Sequence, residues 1–276
     1  MTLDRAWLLG VARAEREGLG RTVQYTPPDA WDNATPCAGW RVRDVLAHLA
    51  AAEVAAAAVL AGETPTEIDA YAKSLDDDNL TLDGFNDSAV RRRAETDVRS
   101  VAVEWGRAAD LLLVRASKTT ALDWVDRRVS WFGADLRIGD FIQMRVTEWW
   151  VHGADMLVGA AMPPRLEHPP IFCVNDLAVR LIPYALSLKG LSFPDRSLAI
   201  DLKGVGGGSW HQGMAGHYTP PEGKRADAII SGRGHAFAEV SADRVDADLC
   251  LYDGVLLLGG DVELAETVLK ALRTSP

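Results

Sequence analysis

The sequence predicts an α+β protein, in which an N-terminal four-helix bundle is followed by a small α+β domain. Apolar residues recur at helical spacing through most of the first ~160 residues. A proline-rich segment follows at residues 163–170, and such segments are typical of domain junctions. Beyond it, segments that alternate like strands are mixed with helical ones. We therefore predict two domains, residues 1–162 and residues 163–276.

Four long helices are predicted in the first domain, because apolar residues keep a helical period between start and stop signals. Residues 63–82 and 118–136 are expected to be exposed loops, the first with room for a short helix. The first loop carries a solvated acidic run, Asp76–Asp78. The predicted helices run from the N-cap Thr2 to about Thr22, from near Val42 to Gly62, from Gly84 to Ser117, and from the N-cap Asp140 to Gly159.

The second domain is expected to hold a small sheet flanked by helices. SLAIDLKGV alternates like a strand with Leu198, Ile200 and Leu202 on one face, and GGGSWHQGM is typical of the turn and return strand of a hairpin. ADAIISG and GVLLLGG are predicted as further strands. Helices are predicted over residues 171–188, in HAFAEVSA, and in DVELAETVLKALRT, where Asp261 is the expected N-cap.

The composition argues against two classes of partner. The 276 residues carry a formal net charge of -10, whereas nucleic-acid binding needs clustered Lys and Arg. The three cysteines are widely spaced, so we expect no disulfide framework and a cytoplasmic location. The N-terminus lacks a signal-peptide pattern, and His48 and Glu53 interrupt the Ala-rich stretch, so no membrane partner is expected. We expect a monomer or a homodimer.

Three residues on predicted helices could bind a metal ion. Glu148 and His152 are four residues apart, so they share a helix face and can chelate one ion. His48 lies on the second helix among apolar neighbours. Three such ligands leave coordination positions open for water or substrate, which is the pattern of catalytic zinc. Spacing alone also allows a hydrogen-bonded core histidine and a surface Glu–His pair.

The segments that contain these residues resemble a known family. TPCAGWRVRDVLAHL and RVTEWWVHGADM are similar to the two motif blocks of the mycothiol-dependent maleylpyruvate isomerase family, which belongs to the DinB-like metalloenzymes. The resemblance implies that His48, Glu148 and His152 bind a divalent metal, with zinc as the first choice. ADAIISG, VSADRVDADL and GGDVELAETVLKAL resemble the family's C-terminal domain, which is similar to sterol carrier proteins.

The resemblance also implies an activity. The family uses mycothiol, a thiol of actinobacteria, and a metal-activated thiolate would add to a small electrophile, as in a maleylpyruvate isomerase or a mycothiol S-transferase. The family's substrate-binding arginine comes from the C-terminal domain. Arg244 is the first candidate here and Arg233 the second, and an exposed arginine without a role fits each equally well. Two alternatives stay open: a thiol-independent hydrolase, lyase or biosynthetic tailoring enzyme, and a non-catalytic small-molecule binding protein.

Residues beside the motif blocks have two interpretations each. Asp44 either hydrogen-bonds to a metal ligand or stabilises the first turn of its helix. Asp155 either supports the second block or faces solvent. Cys37 is expected to be a small buried thiol. His217, in a Gly-rich segment, is expected at the surface.

Overall fold

The computed structural model describes residues 3–75, 80–215 and 221–272. The chain divides into two compact units, Met1–Pro164 and Arg165–Pro276. The first is helical apart from one short hairpin, and the second combines helices with a four-stranded sheet. The predicted N-cap Thr2, the acidic run Asp76–Asp78 and His217 lie outside the described residues.

Four long helices form the bundle of the first unit: α1, α2, α5 and α7. Both α5 and α7 pack against both α1 and α2, which closes the four helices into a ring. The elements of this unit are α1 (Arg5–Tyr25), a 3₁₀ turn (Pro28–Asp32), α2 (Val42–Ala61), α3 (Thr66–Ala72), α4 (Leu82–Arg93), α5 (Val98–Ser117), α6 (Ala121–Asp126), β1 (Arg128–Trp131), β2 (Ala134–Arg137) and α7 (Ile138–Gly159).

Helix α2 is buried along most of its length, because it packs against α5, α4, α7 and α3. Alanines occupy much of its surface, and small side chains let neighbouring helices approach closely. Its end is the predicted one: Gly62 has a φ of 72° and follows the last helical residue. The fully buried alanines include Ala50, Ala51, Ala55 and Ala56.

The single helix predicted from Gly84 to Ser117 is wrong, because this segment forms two helices, α4 and α5. Asp97 accepts a hydrogen bond from the Ser100 backbone N–H at 3.1 Å and so starts α5, which separates it from α4. The predicted loop at residues 118–136 contains α6 and most of the hairpin of β1 and β2. Asp140 is not an N-cap: β2 runs directly into α7, and Arg137 holds the cap position without a side-chain cap.

The second unit is built around a sheet with strand order β4-β3-β5-β6. Strand β3 pairs antiparallel with β4 and parallel with β5, and β5 pairs antiparallel with β6. The predicted hairpin is thus confirmed. The elements are α8 (His168–Arg180), α9 (Ile182–Leu188), β3 (Ser197–Lys203), β4 (Gly208–Gly213), β5 (Ala228–Arg233), α10 (Gly234–Ser241), α11 (Ala247–Tyr252), β6 (Leu256–Gly260) and α12 (Val262–Ala271).

The core of the second unit follows the predicted pattern. Leu198, Ile200 and Leu202 are buried on one face of β3. Asp261 caps α12 by accepting from the Leu264 backbone N–H at 3.1 Å. The single helix predicted over residues 171–188 is two helices bent by 55°, because Pro183 lies in the first turn of α9 and its ring cannot continue a helix from α8. Helix α11 was not predicted.

Two features of the described residues pass a test for membrane spans by length and hydropathy. Helix α2 passes on its own, and α8 with α9 passes only if the bent pair is counted as one. Within α2, 78% of the qualifying window is buried inside the structure. Burial of this kind is typical of the central helix of a bundle.

Gly159, the last residue of α7, marks a close approach between α7 and the start of α2. A Cβ atom there would lie 2.6 Å from Val42 Cγ2 and 3.0 Å from the Ala34 carbonyl oxygen. The Gly159 carbonyl also accepts a hydrogen bond from Asn33 Nδ2 at 3.0 Å. The segment before α2 is therefore held against the end of α7.

Replacing Gly159 by Ala is expected to lower the free energy of unfolding by about 1–3 kcal/mol, the usual cost of overpacking. Gly10→Ala is the matched control, because a Cβ atom there meets nothing within 4 Å. Gly10 lies in the interior of α1, so its replacement should stabilise the protein by about 0.5–1 kcal/mol. Urea denaturation measures both values, and equal effects of the two substitutions would contradict the close approach.

Candidate metal centre

The three predicted ligands come together inside the first unit. His48 lies in α2, and Glu148 and His152 lie one turn apart in α7. All three are buried, with exposed fractions of 3%, 9% and 2%. One ligand atom from each residue lies within 4.8 Å of the other two. Burial excludes the alternative of a surface Glu–His pair, whereas a hydrogen-bonded core histidine fits the same contacts.

Two of the three separations between these atoms match the edge of a coordination tetrahedron. Glu148 Oε2 lies 3.4 Å from His48 Nε2 and 3.5 Å from His152 Nε2. Both are long for hydrogen bonds, whose N–H···O distances are usually about 2.7–3.2 Å. Two ligands that each lie about 2.0–2.1 Å from a tetrahedral zinc ion are about 3.3–3.4 Å apart. The geometry is therefore that of a site that could hold a tetrahedral metal ion.

The two histidines have opposite electrostatic environments. Burial lowers the pKa of His48 to about 4, so this imidazole is neutral at pH 7. Burial also acts to lower the pKa of His152, but hydrogen bonds to Asp155 and Glu148 outweigh it and raise that pKa to about 9. Burial would raise the pKa of Glu148, but the two histidines hold it well below its ordinary value. In the metal-free protein an imidazolium therefore sits beside a carboxylate.

Asp155 orients His152. It is 1% exposed, and its Oδ2 lies 3.0 Å from His152 Nδ1, so it supports the second block and does not face solvent. A carboxylate that accepts from Nδ1 leaves Nε2 free for a metal ion. Such a carboxylate is the usual second partner of a metal-bound histidine. His48 Nδ1 is buried and has no hydrogen-bond partner among the described residues.

Asp44 has the helix-stabilising role. Its carboxylate accepts from both the backbone N–H and Nε of Arg41, each at 2.9 Å. The Asp44 carboxylate thereby binds both the backbone N–H at the N-cap of α2 and the arginine side chain. Asp44 holds the start of the helix that carries His48.

A buried ion pair that sequence reasoning missed lies between the same two helices. Arg145 of α7 donates to Glu53 Oε1 of α2 from Nε at 3.0 Å and from Nη2 at 2.6 Å. Trp149 Nε1 donates to the same oxygen at 2.8 Å. Glu53 and Arg145 are 0% and 2% exposed. The available signal was Glu53 itself, because a charged residue within an apolar helical run requires a buried partner.

The charges of the buried groups leave room for a divalent cation. Glu53 and Arg145 neutralise each other. Glu148 and Asp155 then contribute two negative charges, and neutral His48 and His152 contribute none. A divalent cation would balance these two charges, whereas in its absence a proton on His152 balances one of them.

Two further side chains border the centre. The Trp40 ring lies with its centroid 5.0 Å from that of His48 and 6.2 Å from that of His152. Cys37 Sγ lies within 4.8 Å of ligand atoms of His152 and Asp155. Cys37 is only partly buried, which differs from the expected buried thiol.

The two predicted arginines belong to the second unit. Arg233 is exposed at the end of β5, directly before α10. Arg244 follows α10 and is partly buried; its Nη1 donates to the Ala242 carbonyl at 2.6 Å. A role for either residue in binding a carboxylate stays a prediction.

The sequence is similar to a known protein family and to two proteins of one bacterium. A family model described as the mycothiol maleylpyruvate isomerase N-terminal domain matches residues 12–157, a range that contains all three ligands. Two uncharacterized proteins of Mycobacterium tuberculosis, MT0041 and Rv0036c, are each 25% identical over 207 residues, which are 73% of this chain and 74% of theirs.

Two solved structures have a similar fold. A crystal structure of the mycothiol-dependent maleylpyruvate isomerase matches with a TM-score of 0.62 at 14% identity. A mutant of a mycothiol-dependent maleylpyruvate isomerase matches with a TM-score of 0.61 at 13% identity. Each match covers 94% of this chain and 95% of the other. The predicted α+β fold class is thus confirmed.

The ion pair between α2 and α7 generates the first prediction for this site. Arg145→Met leaves the Glu53 carboxylate buried without a cation, so the free energy of unfolding should fall by about 3–5 kcal/mol. The double variant Glu53→Leu, Arg145→Met should recover most of this loss, because two apolar side chains replace the pair. Denaturant unfolding of the metal-free proteins measures both. A single variant as stable as the wild type would show that the pair is not buried.

The raised pKa of His152 predicts proton release on metal binding. At pH 7 the metal-free residue is protonated, and a metal ion binds only neutral imidazole, so zinc should displace about one proton. Calorimetry in two buffers of different ionisation enthalpy measures this number, which should approach zero above pH 9. Asp155→Asn should reduce the release at pH 8, because it removes a group that raises the pKa.

The same shift makes the stability of the metal-free fold depend on pH. The pKa of His152 is about 9 in the folded protein and 6.5 in the unfolded chain, so protonation of this residue stabilises the fold. The stabilisation is fully present below pH 6.5 and is lost as the pH rises through about 9. Asp155→Asn should flatten that decline. A decline that is the same in the variant would show that His152 is not its source.

Proposed function

We propose that this chain, which belongs to the mycothiol maleylpyruvate isomerase family, is a metal-dependent enzyme that uses mycothiol to isomerise maleylpyruvate or a closely related electrophile. The observation that carries the proposal is the convergence of His48, Glu148 and His152 within the segment that matches the family. A thiol S-transferase would use the same residues, so the choice between the two reactions depends on the substrate.

The donor set fits a divalent metal, and zinc is our first choice. Two imidazoles and one carboxylate, with a fourth position open, are the ligands of catalytic zinc sites. The two separations of 3.4 and 3.5 Å and the two carboxylates beside the histidines favour the same ion. When bound, such a cation lowers the pKa of a coordinated thiol, so that the thiol is present as the nucleophilic thiolate.

The protein side chains would orient and insulate this site. Asp155 holds the His152 ring in one tautomer, with Nε2 toward the centre. Arg145 neutralises Glu53, so this buried carboxylate adds no further negative charge beside the centre. Trp40 covers the two imidazoles and reduces access of water from its side.

The proposed reaction conserves the thiol. The thiolate sulfur adds to one carbon of the cis double bond of maleylpyruvate, and the electron pair moves into the neighbouring carbonyl as an enolate. The former double bond is now single and rotates. Return of the electron pair expels the thiolate and leaves the trans isomer, fumarylpyruvate, so no atom or electron is gained or lost.

The substrate would also need a cation for its carboxylates. Arginine suits this role because its planar fork binds a carboxylate through two hydrogen bonds. We propose Arg244 as this residue and Arg233 as the second candidate. We also propose that the second unit is the sterol-carrier-like domain of the family.

The test is turnover of maleylpyruvate by the zinc-loaded protein with mycothiol, followed by the absorbance change on isomerisation. His152→Ala should lose zinc and reduce turnover to background, and Asp155→Asn should weaken metal affinity by about 10–100-fold. Asp69→Asn is the control: among the described residues this carboxylate pairs with Lys73 alone, so the substitution should leave both values unchanged.

Three outcomes would separate the alternatives. Stable conjugates of mycothiol with other electrophiles would identify an S-transferase. Turnover that persists without any thiol would identify a hydrolase, lyase or tailoring enzyme. Full zinc loading without turnover of any of these substrates would overturn the proposed activity and favour a binding protein.

A further inference from the structure

A cavity of the first unit lies between α2 and α5 and shares no residue with the metal centre. Its volume is about 800 Å³, within the usual range for small-molecule sites. Val54, Ala57 and Ala58 of α2 form one side. Val103 and Leu111 of α5 form the other, and they are 46% and 44% exposed. We call this cavity the α2–α5 cleft.

The rim of the α2–α5 cleft is charged, and most of its charges are already paired. Glu104 accepts from Arg93 Nη2 at 2.6 Å, and Glu63 accepts from Arg115 Nη2 at 2.9 Å. These two carboxylates are therefore neutralised by guanidinium groups. They are the acidic residues among those that line the cleft.

Two arginines of the rim remain without a carboxylate. Arg99 and Arg107 line the α2–α5 cleft, and neither has an ion pair or side-chain hydrogen bond among the described residues. They flank Val103 at intervals of four residues on α5, so they rise about 12 Å along the helix axis. Arg99 and Arg107 thus place two unpaired cations beside the apolar floor of the cleft.

We propose that the α2–α5 cleft binds an elongated anionic amphiphile, with its apolar body on Val103, Leu111 and the α2 alanines. The anionic group, a carboxylate or a phosphate, pairs with Arg107, which lies between the two exposed apolar residues. Arg99 adds a longer-range attraction from the end of the cleft. The guanidinium group binds either anion through two parallel hydrogen bonds.

The combination of an apolar floor with unpaired cations favours this ligand over a neutral one. Burying Val103 and Leu111 supplies hydrophobic free energy for any apolar molecule. A neutral molecule would, however, leave Arg107 partly desolvated without a partner, which opposes binding. The anionic group is thus the feature that selects the ligand.

The experiment is isothermal titration calorimetry of the intact protein with decanoate, decyl phosphate and decanol, all well below micelle-forming concentrations. We expect saturable 1:1 binding of at least one anion with a Kd of about 10–500 μM, as for a ligand of about a dozen heavy atoms. Decanol should bind at least about tenfold more weakly. A preference between the two anions identifies the headgroup.

Substitutions then locate the site. Arg107→Gln should weaken binding of the preferred anion by about tenfold, and Arg99→Gln by a smaller factor that disappears at high salt. Arg91→Gln is the matched control: Arg91 is an exposed arginine on α4 that does not line the cleft. All three positions are on the surface, and thermal unfolding verifies that each variant is folded.

Three results would overturn the proposal: decanol binding as tightly as the anions, unchanged affinity in Arg107→Gln, or no saturable binding up to millimolar concentrations. A concentration-dependent dimer that Arg107→Gln dissociates would instead show that a second copy of the chain covers the cleft. Zinc binding and turnover depend on neither arginine, so these outcomes are independent of the proposed function.

Discussion

The ion pair between Glu53 and Arg145 is the contact on which the geometry of the first unit depends. It joins α2 to α7 in the interior, and a charge in that environment is tolerated only with its partner in place. Because each residue lies within seven positions of a predicted ligand on its own helix, the pair fixes the axial register of the two helices. His48 can then meet Glu148 and His152, which come from a segment a hundred residues away.

The pair also separates two electrostatic tasks within one core. Arg145 and Trp149 both donate to Glu53, so the carboxylates of Glu148 and Asp155 are left for the centre. Burial lowers the pKa of His48, whereas the pKa of His152 is raised because only His152 has two carboxylates beside it. The interior of the first unit thus holds a neutralised ion pair and, one to two turns away, a group of carboxylates and histidines.

Local patterns predicted the parts of the fold that depend on local interactions. The helical period found the four long helices, and the i, i+4 spacing found Glu148 and His152. The break between α4 and α5 was missed because the segment remains polar and helix-compatible on both sides of Asp97. The hairpin of β1 and β2 was missed because strands of four residues are too short to show a clear alternation of apolar and polar residues. Glu53 and Arg145 were not paired, since a contact across 92 residues leaves no local trace.

If the centre binds the proposed metal ion, the proton on His152 has a consequence for how that ion is acquired in a cell. An imidazolium beside Glu148 and Asp155 partly neutralises these carboxylates before any metal ion binds, so we expect the bundle to fold without metal. Small zinc domains, by contrast, are unfolded without metal. Metallation of this chain would be an exchange of cation for proton in a finished structure. Its metal content would then follow the pH and the metal supply of the compartment, and not the moment of synthesis.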